Sequence, residues 1–241
     1  ARKSAAASLI VVVGRSAGPS LTATAWSLIA TDQVPPPSPV TSNWKVTATP
    51  PAAPGWNRDG RSAKTSATAR CAPAAGAREA GAVVQKIILD RKHIAGCRDC
   101  KKCNKTGICV LADDMAEIQE LILEAHAVIH SVPVYFWSMS SQMKAYLDRW
   151  CVFFDAQWRW QKAYYPKMRG KRIGLLTVCG DPDPHTADPI VHSFRMTAEM
   201  TKMHWLGSVM GSASDKGEIK GNEAALREAF DLGKKAAATA S

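Results

Sequence analysis

Four cysteines, Cys97, Cys100, Cys103 and Cys109, fall in the thirteen-residue stretch CRDCKKCNKTGIC. The spacing is C-x2-C-x2-C-x5-C. Thiolates at x2 spacing on a tight loop converge on one point, as soft ligands for iron or zinc must. Gly96 before the run and Gly107 within it suit the turns this needs. Structural zinc usually takes two separate C-x2-C knuckles divided by a long spacer. One continuous run with a fourth cysteine close behind is nearer the ligand pattern of a cubane 4Fe-4S cluster. A structural zinc loop and a pair of disulfides are the alternatives. Four thiolates leave net negative charge on a cluster, and Arg98, Lys101, Lys102 and Lys105 lie between the ligands to offset it. The other three cysteines, Cys71, Cys151 and Cys179, stand outside the run and are expected not to be ligands.

A second stretch with chemical potential is PVYFWS, Pro133–Ser138. It directly follows HAVIHS, which reads as a short buried strand, His126–Ser131. Ligands of open parallel sheets bind at the carboxyl ends of strands. Three consecutive aromatics at such an end suit a flat cofactor stacked against them and held by backbone N–H groups. Packing of the loop onto the next helix is the plainer reading. A third stretch, GRSAKTSATAR, offers Ser66 and Thr68 just ahead of an Ala-rich helix. Small hydroxyl residues there can meet a phosphate at the helix N-terminus. His185 in DPDPHTADP, after the next strand, reads as an exposed loop histidine.

The elements that must position these stretches alternate from residue 82 onward. Strands are expected at Ala82–Leu89, His126–Ser131, Arg172–Cys179 and His204–Gly211. Helices are expected from Asp113, from Ser138 to Phe154, from Pro189 to Lys202 and over Asn222–Ala237. Asp114 and Glu117 make a capping-box pattern at the first of these. Strand–helix alternation indicates a parallel sheet covered on both faces. Gln157–Lys167, QWRWQKAYYPK, reads as a lid over the active face or a subunit contact. Residues 1–58 differ in texture: Val34–Pro54 holds seven prolines and cannot hold a regular element. This region is expected to be a disordered extension, with the apolar run Ser8–Gly14 as a signal-peptide core or an improvised strand.

The chain of 241 residues carries net charge +10. Residues 1–80 hold nine Lys/Arg and three Asp/Glu, and residues 81–241 hold 22 and 18. The excess is thus spread through the irregular N-terminal region and the cysteine loop. No basic face alternates with aromatics, so nucleic acid is not the expected partner. No stretch reaches the roughly 18 apolar residues of a membrane span. Seven cysteines do not form a paired secreted framework, and a cluster implies a reducing, cytoplasmic setting.

SVPVYFWSMSSQMKAYLDR, preceded by the four-cysteine loop and an acidic helix start, resembles the NADPH-dependent FMN reductase family, and within it the iron–sulfur flavoproteins. The resemblance covers about Gly60 to Ala238. It implies a flavodoxin-like, doubly wound five-stranded parallel sheet of order 2-1-3-4-5 over residues 59–238, with the cysteine loop inserted at 96–110. It implies bound FMN and a homo-oligomer, with Pro133, Val134, Tyr135, Phe136, Trp137 and Ser138 bordering the flavin and Gly180 near it. One hydroxyl-rich loop before one helix suits the single terminal phosphate of FMN. The family's opening strand and G-S-P-R-x-x-S/G-N-S/T loop are matched only at Gly60, Ser66 and Thr68, as an upstream frame error would leave them.

The function expected is an FMN-dependent oxidoreductase in which an iron–sulfur cluster passes electrons singly to or from a ferredoxin-type partner. The alternatives are an NAD(P)H-dependent flavin or quinone reductase with a structural zinc loop, and a redox sensor without turnover. G-x-G-x-x-G is absent, and no other nicotinamide signature is readable.

Overall fold

The computed structural model of the chain describes residues 72–214 and 218–238 and the backbone of a strand at 8–13. The strands are β1, Ser8–Val13, β2, Val83–Ile88, β3, Ala127–Pro133, β4, Arg172–Cys179, and β5, His204–Ser212. The helices are α1 at 72–79, α2, Cys103–Thr106, α3, Met115–Glu124, α4, Ser141–Asp148, α5, Tyr165–Met168, α6, Asp188–Met200, and α7, Glu223–Ala237. Among the described residues no helix is long and apolar enough to cross a membrane.

β3 is buried at every residue, as a strand covered on both faces must be. Its alternate residues face opposite layers. Val128 and Val132 join Met115, Ile118, Ile122, Met143, Tyr146 and Phe194 beneath α3, α4 and α6. Ala127 and Ile129 join Ala74, Ala77, Leu232 and Ala236 beneath α1 and α7. In the second layer α1 and α7 approach each other closely at two glycines. A Cβ on Gly76 would collide with the Phe230 carbonyl, and one on Gly233 with that of Pro73.

The lateral order is β2-β1-β3-β4-β5. β3, β4 and β5 form parallel ladders. The sheet is not parallel throughout, which corrects the expectation: β1 runs antiparallel to both β2 and β3. The sequence explains this. PPAAPGWNRD, just before Gly60, does not read as a strand, and the apolar run SLIVVV takes a place in the sheet. The connection to β2 is long, so it imposes no direction, unlike a single βαβ crossover. β2 and β3 still point the same way, since Ser8 of β1 is opposite both Ile88 and Ser131.

Two local expectations are also corrected. The capping box does not form: Asp114 makes no side-chain cap. Its Oδ2 accepts instead from the His93 N–H at 2.6 Å, while Asp113 Oδ1 accepts from the Met115 N–H at 3.2 Å. The long helix from Ser138 is shorter and divided. Ser140 caps α4 through the Met143 N–H, and Arg149–Phe153 tightens into 3-10 turns.

Candidate functional site

The carboxyl ends of β2 and β3 lie at one edge of the sheet, and two chemically distinct loops leave it there. The first carries the cysteines. Asp99 and Lys101, on either side of Cys100, have φ of 47° and 58°, a left-handed conformation that bulky residues avoid. Cys103 opens the short helix α2, which closes on Gly107 in the left-handed region. Neither cysteine pair is bonded: Cys97, Cys100, Cys103 and Cys109 are all free thiols, so the disulfide alternative is not realised.

The four thiols line one cavity of about 440 Å³, together with Arg98, Lys101 and Arg149. The same cavity takes in Cys151, whose Sγ lies 3.6 Å from that of Cys97. Spacing along the chain set Cys151 aside; the fold brings it in from the turns after α4. No sequence signal marks it beyond its being a cysteine within the helix expected from Ser138 to Phe154. Burial, with Cys97 and Cys103 alongside, pushes its thiol up. Among the described residues, no three His, Cys, Asp or Glu groups gather closely enough to hold a single metal ion.

Arg149 fastens this loop at both ends. Its Nη1 donates to the Ala95 carbonyl at 2.9 Å and to Asp113 Oδ2 at 2.7 Å. Its Nη2 reaches Asp113 Oδ1 at 3.1 Å and the Leu111 carbonyl at 3.4 Å. The side chains of the pair are 1% and 2% exposed. Burial pushes the Asp113 carboxyl up, but the Arg149 guanidinium and the Ala95 and Met115 N–H groups outweigh it and hold it below the usual carboxylate range. Arg149 Nε is a buried donor with no partner among the described residues.

The aromatic segment 157–167 buttresses the same loop. Gln161 Nε2 donates to the Cys103 carbonyl at 2.9 Å, and Tyr164 Oη donates to that of Gly107 at 2.6 Å. Gly107 has φ 72°, where a side chain would strain the backbone, and its Cβ would lie 2.9 Å from Gln161 Oε1. Trp158 lines the cavity.

The second loop is the aromatic one. Pro133 ends β3 and is buried, and the Val134 N–H donates to the Val178 carbonyl at 3.2 Å. Tyr135 and Ser138 exchange N–H···O bonds of 2.9 and 3.0 Å across a turn whose central residues are Phe136, φ 49°, and Trp137, φ 56°. That is the position Gly or Asn normally takes in such a turn. Phe136 is 92% exposed and Trp137 62%. The plainer reading, aromatics packed onto the following helix, is not what these two rings do. Burial, then the Asp90 carboxylate, pushes the Tyr135 phenol up. Asp90 follows β2, so the segment leading to the cysteine loop passes near this turn.

At the end of β4, Gly180 is exposed and its carbonyl accepts from Ser214 Oγ at 3.2 Å. Its Cβ would meet that hydroxyl at 2.9 Å. His185 is exposed, in the 3-10 turn Pro184–Ala187 rather than in an open loop, with Nδ1 2.9 Å from Asp188 Oδ2. Ser66 and Thr68 lie outside the described residues.

The sequence profile of the family described as having a flavodoxin-like fold matches residues 58–232. An iron-sulfur flavoprotein of Archaeoglobus fulgidus is 34% identical over 98 residues, which are 41% of this chain and 40% of that protein. An iron-sulfur flavoprotein of Methanocaldococcus jannaschii is 29% identical over 66% of this chain and 81% of its own length. A Bacillus subtilis protein named as an NAD(P)H-dependent FMN-containing oxidoreductase is 28% identical over 52% of this chain and 68% of its own. Among solved structures, a flavone reductase aligns with TM-score 0.55 at 17% identity, over 71% of this chain and 57% of that one. That likeness is one of fold. The match to the Archaeoglobus fulgidus protein spans two fifths of its length. The profile covers well over half of this chain, strands β2 to β5 included, and the chain belongs to the flavodoxin-like family.

Proposed function

We propose that this protein is an FMN-dependent oxidoreductase that carries an iron–sulfur centre in the cysteine cavity. The observation that carries the reading is the placement of a thiol-lined cavity of about 440 Å³ and a strained, exposed aromatic turn at the same edge of one sheet. The relatives named iron-sulfur flavoproteins support it. So does the donor set: soft sulfurs spread around a cavity, with an unpartnered buried donor on Arg149, suit an anionic sulfur-rich centre better than one compact ion.

When bound, the flavin supplies two-electron chemistry and the cluster passes electrons singly. Cys97, Cys100, Cys103 and Cys109 are the proposed ligands, and Arg98, Lys101 and Arg149 offset their charge. Tyr135, Phe136 and Trp137 offer ring faces to the flavin, with Pro133, Val134, Ser138 and Gly180 as its border. Ser66 and Thr68 are proposed for the phosphate. A nicotinamide nucleotide is the proposed donor by likeness to the Bacillus subtilis relative. A ferredoxin-type acceptor, a homo-oligomer and a flavin-binding domain over 59–238 belong to the same proposal.

The test is protein purified without oxygen. Flavin bands, a broad visible shoulder, iron with acid-labile sulfide, and FMN on chromatography of the denatured supernatant are expected. Zinc without sulfide would replace the cluster with a structural loop. Recovery of FAD would overturn the choice of flavin.

A further inference from the structure

Cys97 and Cys151 are 54 residues apart and their sulfurs are 3.6 Å apart. The two thiols sit on very different supports. Cys97 is exposed, at the open end of the loop beside Gly96. Cys151 is part-buried in the 3-10 turns Arg149–Phe153, between Trp150 and Val152, which are 3% and 1% exposed. The cavity therefore holds five thiols: Cys97, Cys100, Cys103, Cys109 and Cys151. A cubane cluster takes four, each on its own iron at a separate corner. Cys151 also neighbours Cys103, but Cys103 is buried and fixed at the start of α2, so the exposed Cys97 is the sulfur whose corner Cys151 can share.

We propose that Cys97 and Cys151 are alternative ligands for one corner of the metal centre, with Cys151 the reserve thiol that takes over when Cys97 is lost or blocked. The proposal rests on the metal reading of this cavity. The exchange is a substitution at one iron. The Cys151 thiol gives up its proton and its sulfur bonds to the metal; the Cys97 sulfur leaves and takes a proton. No electron changes hands. The rigid, packed support of Cys151 makes it a competent ligand without rearrangement of the core, whereas Cys100, on the strained turn between Asp99 and Lys101, has no such neighbour in contact.

The experiment reconstitutes the full chain with ferrous iron and sulfide under argon and measures iron and sulfide per chain. Wild type, Cys151→Ser and Cys97→Ser are expected to hold similar amounts. Cys97→Ser/Cys151→Ser and Cys100→Ser are expected to lose most of both. If Cys97→Ser alone loses as much as the double variant, Cys151 is not a ligand and the proposal is overturned. If wild type takes up no iron, the metal reading itself fails, which is a different result. A second measurement does not depend on the double variant folding. The electron paramagnetic resonance spectra of the reduced, loaded proteins are compared. Loaded Cys97→Ser is expected to keep the all-thiolate signal of wild type. A three-iron or oxygen-ligated signal in Cys97→Ser overturns the proposal.

Discussion

Arg149 and Asp113 are the two residues on which the cysteine loop depends. The bidentate pair is almost wholly buried, and Arg149 also binds carbonyls on both sides of the loop, at Ala95 and Leu111. Replacing one partner leaves an uncompensated buried charge, which typically costs about 3–5 kcal/mol. Arg149→Met is therefore expected to destabilise the metal-free protein by about that much in urea unfolding, and to lower iron uptake as the loop ends come loose. Arg149→Met/Asp113→Leu is expected to recover much of the stability, because no charge is stranded, but not the iron. The carboxylate also sets a direction with pH. Its pKa is held below the usual range, so the stability it brings is present above the ordinary carboxylate pKa and is lost as pH falls through the lowered one. None of this was legible in the sequence. Asp113 announced a helix start, and Arg149 was one polar residue inside the helix expected from Ser138 to Phe154. The four cysteines were legible because ligand spacing is local, and Cys151 was not because its approach is made by the tertiary fold.

Two elements are under conditions that a substitution can relieve or expose. The turn 135–138 holds Phe136 and Trp137 in the left-handed region, at a cost of about 1–2 kcal/mol each. Glycine at both positions is expected to raise the melting temperature of the flavin-free protein while weakening FMN in a fluorescence titration. A turn kept only for stability would lose nothing by the change. Lys171, just before β4, donates to the Leu123 and Ala125 carbonyls and so caps the end of α3. Burial lowers its pKa to about 8. The unfolded chain, with an ordinary lysine near 10.4, binds the extra proton between those values, so stability rises with pH across that window. Melting curves from pH 8 to 10 should show this slope in wild type and not in Lys171→Met. Element type and order were readable from apolar periodicity, since β3 to β5 and α6 to α7 fall close to their expected bounds. The capping box was not readable, because Asp114 turned to the His93 N–H, a partner outside its own helix. Division of the long helix after α4 follows Arg149 being drawn to the cysteine loop.

At the scale of the whole molecule, the aromatic segment expected to join subunits is split in two. Trp158 is 64% exposed, while Trp160 packs on Phe154 with centroids 4.7 Å apart and belongs to its own chain's core. If copies meet here, Trp158→Ala is expected to separate them in light scattering without changing the melting curve, and Trp160→Ala to lower the melting temperature. A wild-type monomer would remove the contact. The deepest consequence for the whole chain comes from β1. This strand is paired on both sides, between β2 and β3, yet it lies upstream of the family-matched residues and pairs with partners seventy or more residues away. Contacts this distant in sequence close late, because the entropy of a long loop must be met first. During that delay β2 and β3 each present a bare edge, the template on which another chain can add. Refolding should therefore show a slow, concentration-sensitive phase that shortens when a synthetic SLIVVV peptide is supplied in trans to a chain lacking its first fifteen residues. The slot between β2 and β3 is a docking groove that the protein fills with a distant segment of its own chain.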